Sequence, residues 1–373
     1  MPKVIKINKS VEESIRELLK FLLESKKVKG VFTLAKINNN NVIDYSLITD
    51  PDMIKDAFSF FPLMPANAGK LLSRLTLKSA LTEPIAVVLK PCELRAFIEL
   101  VKREQGNLEN FLFISSTCGG VYPLKMSING DINKKLPEYW NAVKKGNIAP
   151  DIRATCSCCE HFLPYNADMT VALIGKNVDK ECEIFLNTEK GEGFVEATKE
   201  KVVEVAAGFS LRETEEVKNL RSKKETEKAK LFKEINIEGF GLSGMVERFG
   251  RCISCHGCSR VCPICYCILC DFDSRDHEYE PVTYEAELEK RGGVRVPPNT
   301  VFYHIGRLTH VGISCVGCGM CTDVCPADIP ISTIFLKVGG EVQRMFNYTP
   351  GKDVEEKIPL TIFEKEEFAE VED

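Results

Sequence analysis

The sequence predicts an α/β domain over residues 1–195, a charged connector at 196–240, a mostly helical domain at 241–345 and an acidic tail at 346–373. Three observations carry this reading. Strand-like and helix-like runs alternate through the first half, and residues 196–235 are charged and poor in turn residues. In the second half one cysteine pattern, C-x2-C-x2-C-x3-C-P, occurs twice.

The elements follow in order. A first helix is expected after Ser10, with Glu13 in capping-box position. Ile15, Leu18, Leu19, Leu22 and Leu23 form its apolar face, and Gly30 is expected to end it. Strands are expected at Val31–Ile37, Ile43–Ile48, Ile85–Lys90, Phe111–Ser115, Met169–Ile174 and Cys182–Leu186. Helices are expected between them around Ala68–Leu77 and Glu93–Arg103. Gly191, Glu192 and Gly193 read as a turn, the connector as a helical hairpin, and the tail from Tyr348 as an extended surface strap.

Composition narrows the classes of function. With 44% hydrophobic and 28% charged residues the chain is ordinarily globular, and 373 residues suffice for about two domains. A net charge of −5, with no basic stripe interleaved with aromatics, argues against a nucleic-acid partner. Lys26, Lys27 and the run Arg221 to Lys224 read as solvated helix faces. The first ten residues lack a signal peptide's apolar core, and no run of about 18 apolar residues could span a membrane, so a cytoplasmic location is expected. Seventeen cysteines in that setting imply metal ligation rather than disulfides. An anaerobic host is expected with them. No Gly-x-Gly-x-x-Gly follows a strand, and no P-loop or Ser/His/Asp order is visible. His161, His256, His277, His304 and His310 are too dispersed to define a metal site; His256 is expected to donate to a sulfide or face solvent.

Cys252, Cys255, Cys258 and Cys262 precede Pro263; Cys315, Cys318, Cys321 and Cys325 precede Pro326. This is the bacterial ferredoxin spacing, in which three cysteines hold one 4Fe–4S cubane and the fourth reaches the other. Four thiolates must converge tetrahedrally on one small cube, so three come from one tight loop and the last from elsewhere. Cys252, Cys255, Cys258 and Cys325 are therefore expected at one cluster, and Cys315, Cys318, Cys321 and Cys262 at the second. Zinc sites instead show paired C-x2-C knuckles.

A further group lies at the ends of predicted strands: Cys92 after Ile85–Lys90, Cys118 after Phe111–Ser115, and Cys156, Cys158 and Cys159 before Met169. Neighbouring strand ends lie side by side in an α/β sheet, and ligands gather at that edge. Cysteines dispersed in sequence can thus meet there, with buried structural thiols as the alternative. Cys265, Cys267 and Cys270 extend the first run as CPICYCILC, read as a lining or interface, or as additional ligands.

The segments KPCELRAFIELV, STCGGVYPL and CSCCEHFLPYNADMTVALIG resemble the coenzyme F-420 hydrogenase/dehydrogenase beta-subunit family. Together with RCISCHGCSRVCPICYCILC and CVGCGMCTDVCPADIP, they are most similar to formate dehydrogenase beta subunits. Sulfhydrogenase and anaerobic sulfite reductase subunits share the layout more distantly. The resemblance implies an α/β flavin-binding domain followed by a mostly helical ferredoxin-like two-cluster domain. It implies FAD and a third 4Fe–4S cluster held by Cys92, Cys118, Cys156 and Cys159, with Cys158 an extra thiol. Asn67, in the family's Pro-x-Asn segment with Pro65 and Ala66, would lie near the flavin. Lys90 and Arg95, which flank Cys92, could meet its pyrophosphate or N1; the bland reading is a pair of surface cations.

The expected function is an electron-transfer subunit that exchanges hydride with a soluble carrier, a deazaflavin or similar, at FAD. Single electrons would then pass through the clusters to or from a formate dehydrogenase alpha-like or hydrogenase subunit. The competing reading is a flavin-free iron–sulfur scaffold. A hetero-oligomer is expected, docked through the CPICYCILC loop and part of the face made by Ile329, Ile331, Ile334, Phe335 and Val338, unless those residues are core.

Overall fold

The computed structural model describes residues 3–37, 42–128, 132–196, 202–204, 210–235, 241–274, 279–359 and 361–362. His277 and residues 363–373 of the tail lie outside them. The elements in order are β1 Lys3–Ile7, α1 Val11–Glu24, β2 Gly30–Ile37, β3 Val42–Ile48, α2 Ala68–Thr76, β4 Ile85–Leu89 and α3 Pro91–Val101. Then come β5 Phe111–Ser116, α4 Leu124–Ile128, α5 Ile132–Lys144, α6 Ala154–Ser157, β6 Met169–Val171, β7 Cys182–Leu186, α7 Glu189–Val195 and β8 Val202–Glu204. The rest is helical among the described residues: α8 Glu215–Glu234, α9 Gly241–Phe249, α10 Gly257–Val261, α11 Pro281–Arg291, α12 Thr300–Val311, α13 Met320–Asp323 and α14 Ile331–Met345.

One eight-stranded sheet runs in the order β3-β2-β4-β5-β6-β7-β1-β8. Its centre, β2-β4-β5-β6, is parallel, and β3, β7, β1 and β8 add antiparallel margins. Parallel strands buried on both faces read as continuous apolar runs, as Phe111–Ser116, wholly buried, does here. The α1 face expected from periodicity packs on this sheet, with Leu19 and Leu22 fully buried. Ser10 caps α1 by accepting from the Glu13 amide at 3.2 Å.

Several expectations are corrected. Helix α1 ends at Glu24 rather than Gly30: Lys26 turns left-handed at φ 56°, and Gly30 already opens β2. Gly191–Gly193 form no turn but lie in α7, capped by the Thr188 hydroxyl. The connector is not all helical, since β8 joins the sheet beside β1. A single helix, α8, follows; residues 197–201, 205–209 and 236–240 are outside the described set. Strand β1 escaped notice because Lys3 and Lys6 interrupt a short apolar run.

The start of the tail is anchored. Tyr348 is buried, and its hydroxyl donates to Glu99 of α3, which also accepts from the Gly351 amide at 2.8 Å. Gly351 has φ +67° and rests on the Arg95 carbonyl, where a Cβ would come within 2.2 Å. Ile329, Ile331, Ile334 and Phe335 are buried core and Val338 is half-buried, so this face is not available for docking. Among the described residues no helix is long and apolar enough to cross a membrane.

Candidate functional site

The two C-x2-C-x2-C-x3-C-P loops share one backbone shape. Two residues past the first cysteine of each run the chain turns left-handed, at Ser254 (φ 53°) and Gly317 (φ 70°). It does so again two residues later, at His256 (φ 54°) and Gly319 (φ 82°). Such turns swing backbone amides towards sulfur: the Ser254 N–H donates to Cys252 Sγ at 3.4 Å. Gly319 also lets the second loop approach α6, since a Cβ there would stand 2.5 Å from the Thr155 hydroxyl. In the first loop His256 is held by Asp273 and stacks on Tyr303 at 4.3 Å.

Each loop receives its fourth thiol from the other run. Cys252, Cys255, Cys258 and Cys325 line one cavity. Cys262, Cys315, Cys318 and Cys321 line a second. Among the described residues no three His, Cys, Asp or Glu side chains converge closely enough for a single ion. A cubane takes one thiolate on each of its irons, so its ligands stand further apart than those of one ion. The donor sets and the inward amides fit that group.

The third group forms at the sheet edge. Cys92 opens α3 directly after β4, and Cys118 follows β5, the adjacent parallel strand. The Cys118 amide donates to the Phe162 carbonyl at 2.8 Å, which draws the 156–162 segment alongside. Gly120 N–H donates to Cys118 Sγ at 3.4 Å. Cys118, Cys156 and Cys159 pack against the main core. Cys92 and Cys156 pack, together with Cys318, around buried Met64, Val121 and Met320. The sheet-edge group therefore abuts the cavity of Cys262, Cys315, Cys318 and Cys321. Cys158 faces away: it is buried with its thiol on the Ala154 carbonyl at 3.2 Å. Cys182 lies in the core on β7.

Burial pushes these thiols up, Cys118 and Cys315 to about 11 and Cys318 to about 12. Cys92 and Cys321 are raised further, again chiefly by burial. Metal binding must therefore release protons. Cys262 runs the other way: a bond from the Cys265 thiol, opposed by burial and helped by Arg307, holds it down. Cys265 is pushed up by the same contact.

Buried cations accompany every group. Lys224 of α8 donates to the Cys156 carbonyl at 2.6 Å. Arg307 of α12 donates to Cys258 Sγ at 3.0 Å. Arg153 pairs with Asp323 at 2.6 Å and donates to the carbonyls of Cys318 and Met64, each at 3.1 Å. It thus bolts the sheet edge to the second loop. Arg153 and Arg307 carry no spacing signal in the sequence, and Lys224, expected on a solvated helix face with Arg221, is corrected to buried at 1% exposure, because α8 lies against the segment that carries Cys156.

Of the expected flavin contacts, Asn67 is buried and caps α2 with Oδ1 on the Gly69 amide at 3.0 Å. Its Nδ2 is buried without a partner among the described residues. Lys90 is also buried, its ammonium 5.9 Å from the Tyr45 ring centre. The two residues stand at the N-caps of α2 and α3. Arg95 is engaged elsewhere: Nε donates to the Pro350 carbonyl at 2.7 Å, and Nη1 points to that of Val316 at 3.5 Å. Cys265, Cys267 and Cys270 line a separate cavity of about 700 Å³ with Lys70, Arg74, Arg103 and Arg260. These cations come from three separate stretches of the chain, so no local pattern marks the cavity.

No family model matches the chain. The F420-dependent formate dehydrogenase subunit beta of Methanocaldococcus jannaschii is 30% identical over 378 residues, covering 91% of this chain and 92% of that protein. The F420-dependent formate dehydrogenase 1 subunit beta of Methanococcus maripaludis is 28% identical over 376 residues, covering 92% and 91%. Among solved structures, a chain of the xenon-derivatised F420-reducing [NiFe] hydrogenase complex from Methanosarcina barkeri is similar at TM-score 0.45 and 15% identity, over 64% of this chain and 94% of that one. On the first of these likenesses, the chain belongs to the family of F420-dependent formate dehydrogenase beta subunits, components of oxidoreductases.

Proposed function

We propose that this chain is the flavin- and iron–sulfur electron-transfer subunit of an F420-dependent formate dehydrogenase, in the cytoplasm of an anaerobe. When bound, FAD supplies exchange of electron pairs with a soluble deazaflavin carrier, and three 4Fe–4S clusters supply one-electron steps to or from a catalytic subunit. The observation that carries the reading is the shared packing of Cys92, Cys156 and Cys318 around Met64, Val121 and Met320. It joins the sheet-edge group to the second loop, and the core shared by Cys252, Cys258, Cys262, Cys315, Cys321 and Cys325 joins the two loops, which supports a series rather than three separate sites.

Each part of the chain has a task in that series. Cys92, Cys118, Cys156 and Cys159 hold the cluster nearest the flavin, and Asn67 and Lys90 face the flavin. Arg95, two of whose nitrogens are taken by the Pro350 and Val316 carbonyls, would meet the flavin only through its remaining N–H groups. Cys262, Cys315, Cys318 and Cys321 form the middle station, and Met64, Val121 and Met320 exclude water between the two. Cys252, Cys255, Cys258 and Cys325 form the outer station, where Cys255 is exposed. Ile253 and Phe302 flank it, 58% and 59% exposed, and Ile268 and Leu269 of the CPICYCILC loop protrude at 94% and 95%. Apolar groups left bare in this way mark a partner's docking site.

The test is anaerobic purification with iron, sulfide and acid-released flavin quantified. About twelve irons per chain, four per cubane, and a stoichiometric flavin are expected. A clean eight irons would remove the sheet-edge cluster. The absence of flavin would favour the scaffold reading, to which the lack of a glycine-rich nucleotide loop points.

A further inference from the structure

Helix α12 runs past both loop cavities and turns two buried polar side chains, three residues apart and hence on one face, towards them. His304 is 1% exposed, stacks on Phe249 at 4.6 Å and lines the cavity of Cys252, Cys255, Cys258 and Cys325. Neither ring nitrogen has a partner among the described residues. An imidazole has at least one ring N–H to donate. A buried donor left unpaired is costly. A sulfur in that cavity would satisfy it.

Arg307 is 3% exposed, and its planar group lies within 5.7 Å of the Tyr303 ring centre and 5.3 Å of that of Phe335. Nη1 donates to Cys258 Sγ at 3.0 Å, and Nη2 to the Cys258 carbonyl at 3.2 Å. Nη2 also lies 3.8 Å from Cys265 Sγ. Cys258 belongs to the first set, yet the same Arg307 lines the cavity of Cys262, Cys315, Cys318 and Cys321. Nε is buried without a partner, and no Asp or Glu among the described residues pairs with the guanidinium. A guanidinium is always charged. Its counter-charge must therefore come from the cysteine sites themselves.

We propose that α12 sets the reduction potentials of the two loop-held clusters: Arg307 raises both, and His304 raises that of the Cys252, Cys255, Cys258 and Cys325 site alone. This rests on the cluster reading above. A reduced cubane carries one more negative charge than an oxidised one, and potential follows net charge and hydrogen bonds to sulfur. A fixed cation between two such sites stabilises the added electron at either. An N–H donor that lines one cavity and not the other acts at that one.

The experiment is an EPR-monitored redox titration of the anaerobically purified full chain, with iron and sulfide counted. Signals are assigned by their loss in Cys255→Ser. In Arg307→Gln both loop clusters are expected to show at least a tenfold lower reduced-to-oxidised ratio at fixed potential, about 59 mV for a one-electron couple. Arg307→Lys, which keeps the charge but not the fork, should shift less. His304→Phe should shift one signal and leave the other. Should Arg307→Gln fail to hold iron, Arg307→Met, uncharged and apolar for this buried site, decides: loaded with both potentials lowered supports the assignment, loaded and unshifted overturns it. Full iron with unmoved potentials in all variants overturns the role of α12 alone. A wild-type chain without either loop signal would instead overturn the cluster reading.

Discussion

The loop-held cysteine sites and the sheet-edge site are built by opposite strategies. Each loop carries its geometry locally: three cysteines within one short run, two left-handed residues at matching positions, and amides aimed at sulfur. The sheet-edge site has little local shape of its own. Cys92 and Cys118 are neighbours only because β4 and β5 pair in parallel, and Cys156 joins them only because the segment after α6 folds back onto Cys118. The first kind of site needs few long-range contacts to take shape. The second exists only when the sheet is complete, and Lys224 of α8 and Arg153 then lock it to the rest.

Cys318 stands where the two strategies meet, so its loss has the largest expected effect. Cys318→Ser should leave about eight irons of about twelve and abolish electron passage to the partner, while reduction of the flavin by its carrier persists. Stopped-flow flavin absorbance and partner-side activity, measured on the same preparation, separate these steps. A variant that also lost flavin reduction would show that the stations are not in the order given.

The join itself is held by charge. Arg153 and Asp323 have side chains 3% and 7% exposed, and Asp323 also accepts from the Leu124 amide at 3.0 Å. Removing one partner of such a buried pair typically costs about 3–5 kcal/mol, because the other charge stays desolvated and unpaired. Asp323→Asn should therefore lower the thermal midpoint by several degrees and loosen the sheet-edge cluster against the middle one. Slower transfer with full iron content is the expected sign. Unchanged transfer would mean that Met64, Val121 and Met320 hold the join without help.

How much was legible follows the same division. Which cysteines line each loop cavity agrees with the spacing, because three of the four come from one short run and such a run is a local property. The sheet-edge gathering needed strand order as well, which alternating strands and helices supplied only as a class. Arg153 and Arg307 carried no signal, Lys224 read as solvated and His304 as one dispersed histidine among five, yet all four are buried: burial of a single polar residue is decided by elements far away in sequence. Helix α7 hid behind Gly191 and Gly193, where the cap from Thr188 outweighs glycine's low helix propensity. Strand β8 hid in a charged connector because edge strands tolerate charge.

The smallest expected effect tests the shared shape of the two loops. Gly317 and Ser254 occupy equivalent positions, both left-handed. A side chain there costs about 1–2 kcal/mol relative to glycine, and at Gly317 a Cβ would also come within 3.1 Å of Leu336 Cδ1. Gly317→Ser should thus destabilise the second loop by at least that amount. Ser254→Gly relieves the same strain in the first loop but adds about 0.5–1 kcal/mol of chain entropy to the unfolded state. It should be neutral or slightly stabilising. The denaturant midpoint for loss of cluster absorbance measures both, and the signs matter more than the sizes. Two variants that destabilise alike would mean that the Ser254 side chain has a role of its own, and that the loops share a cysteine spacing without sharing what holds it.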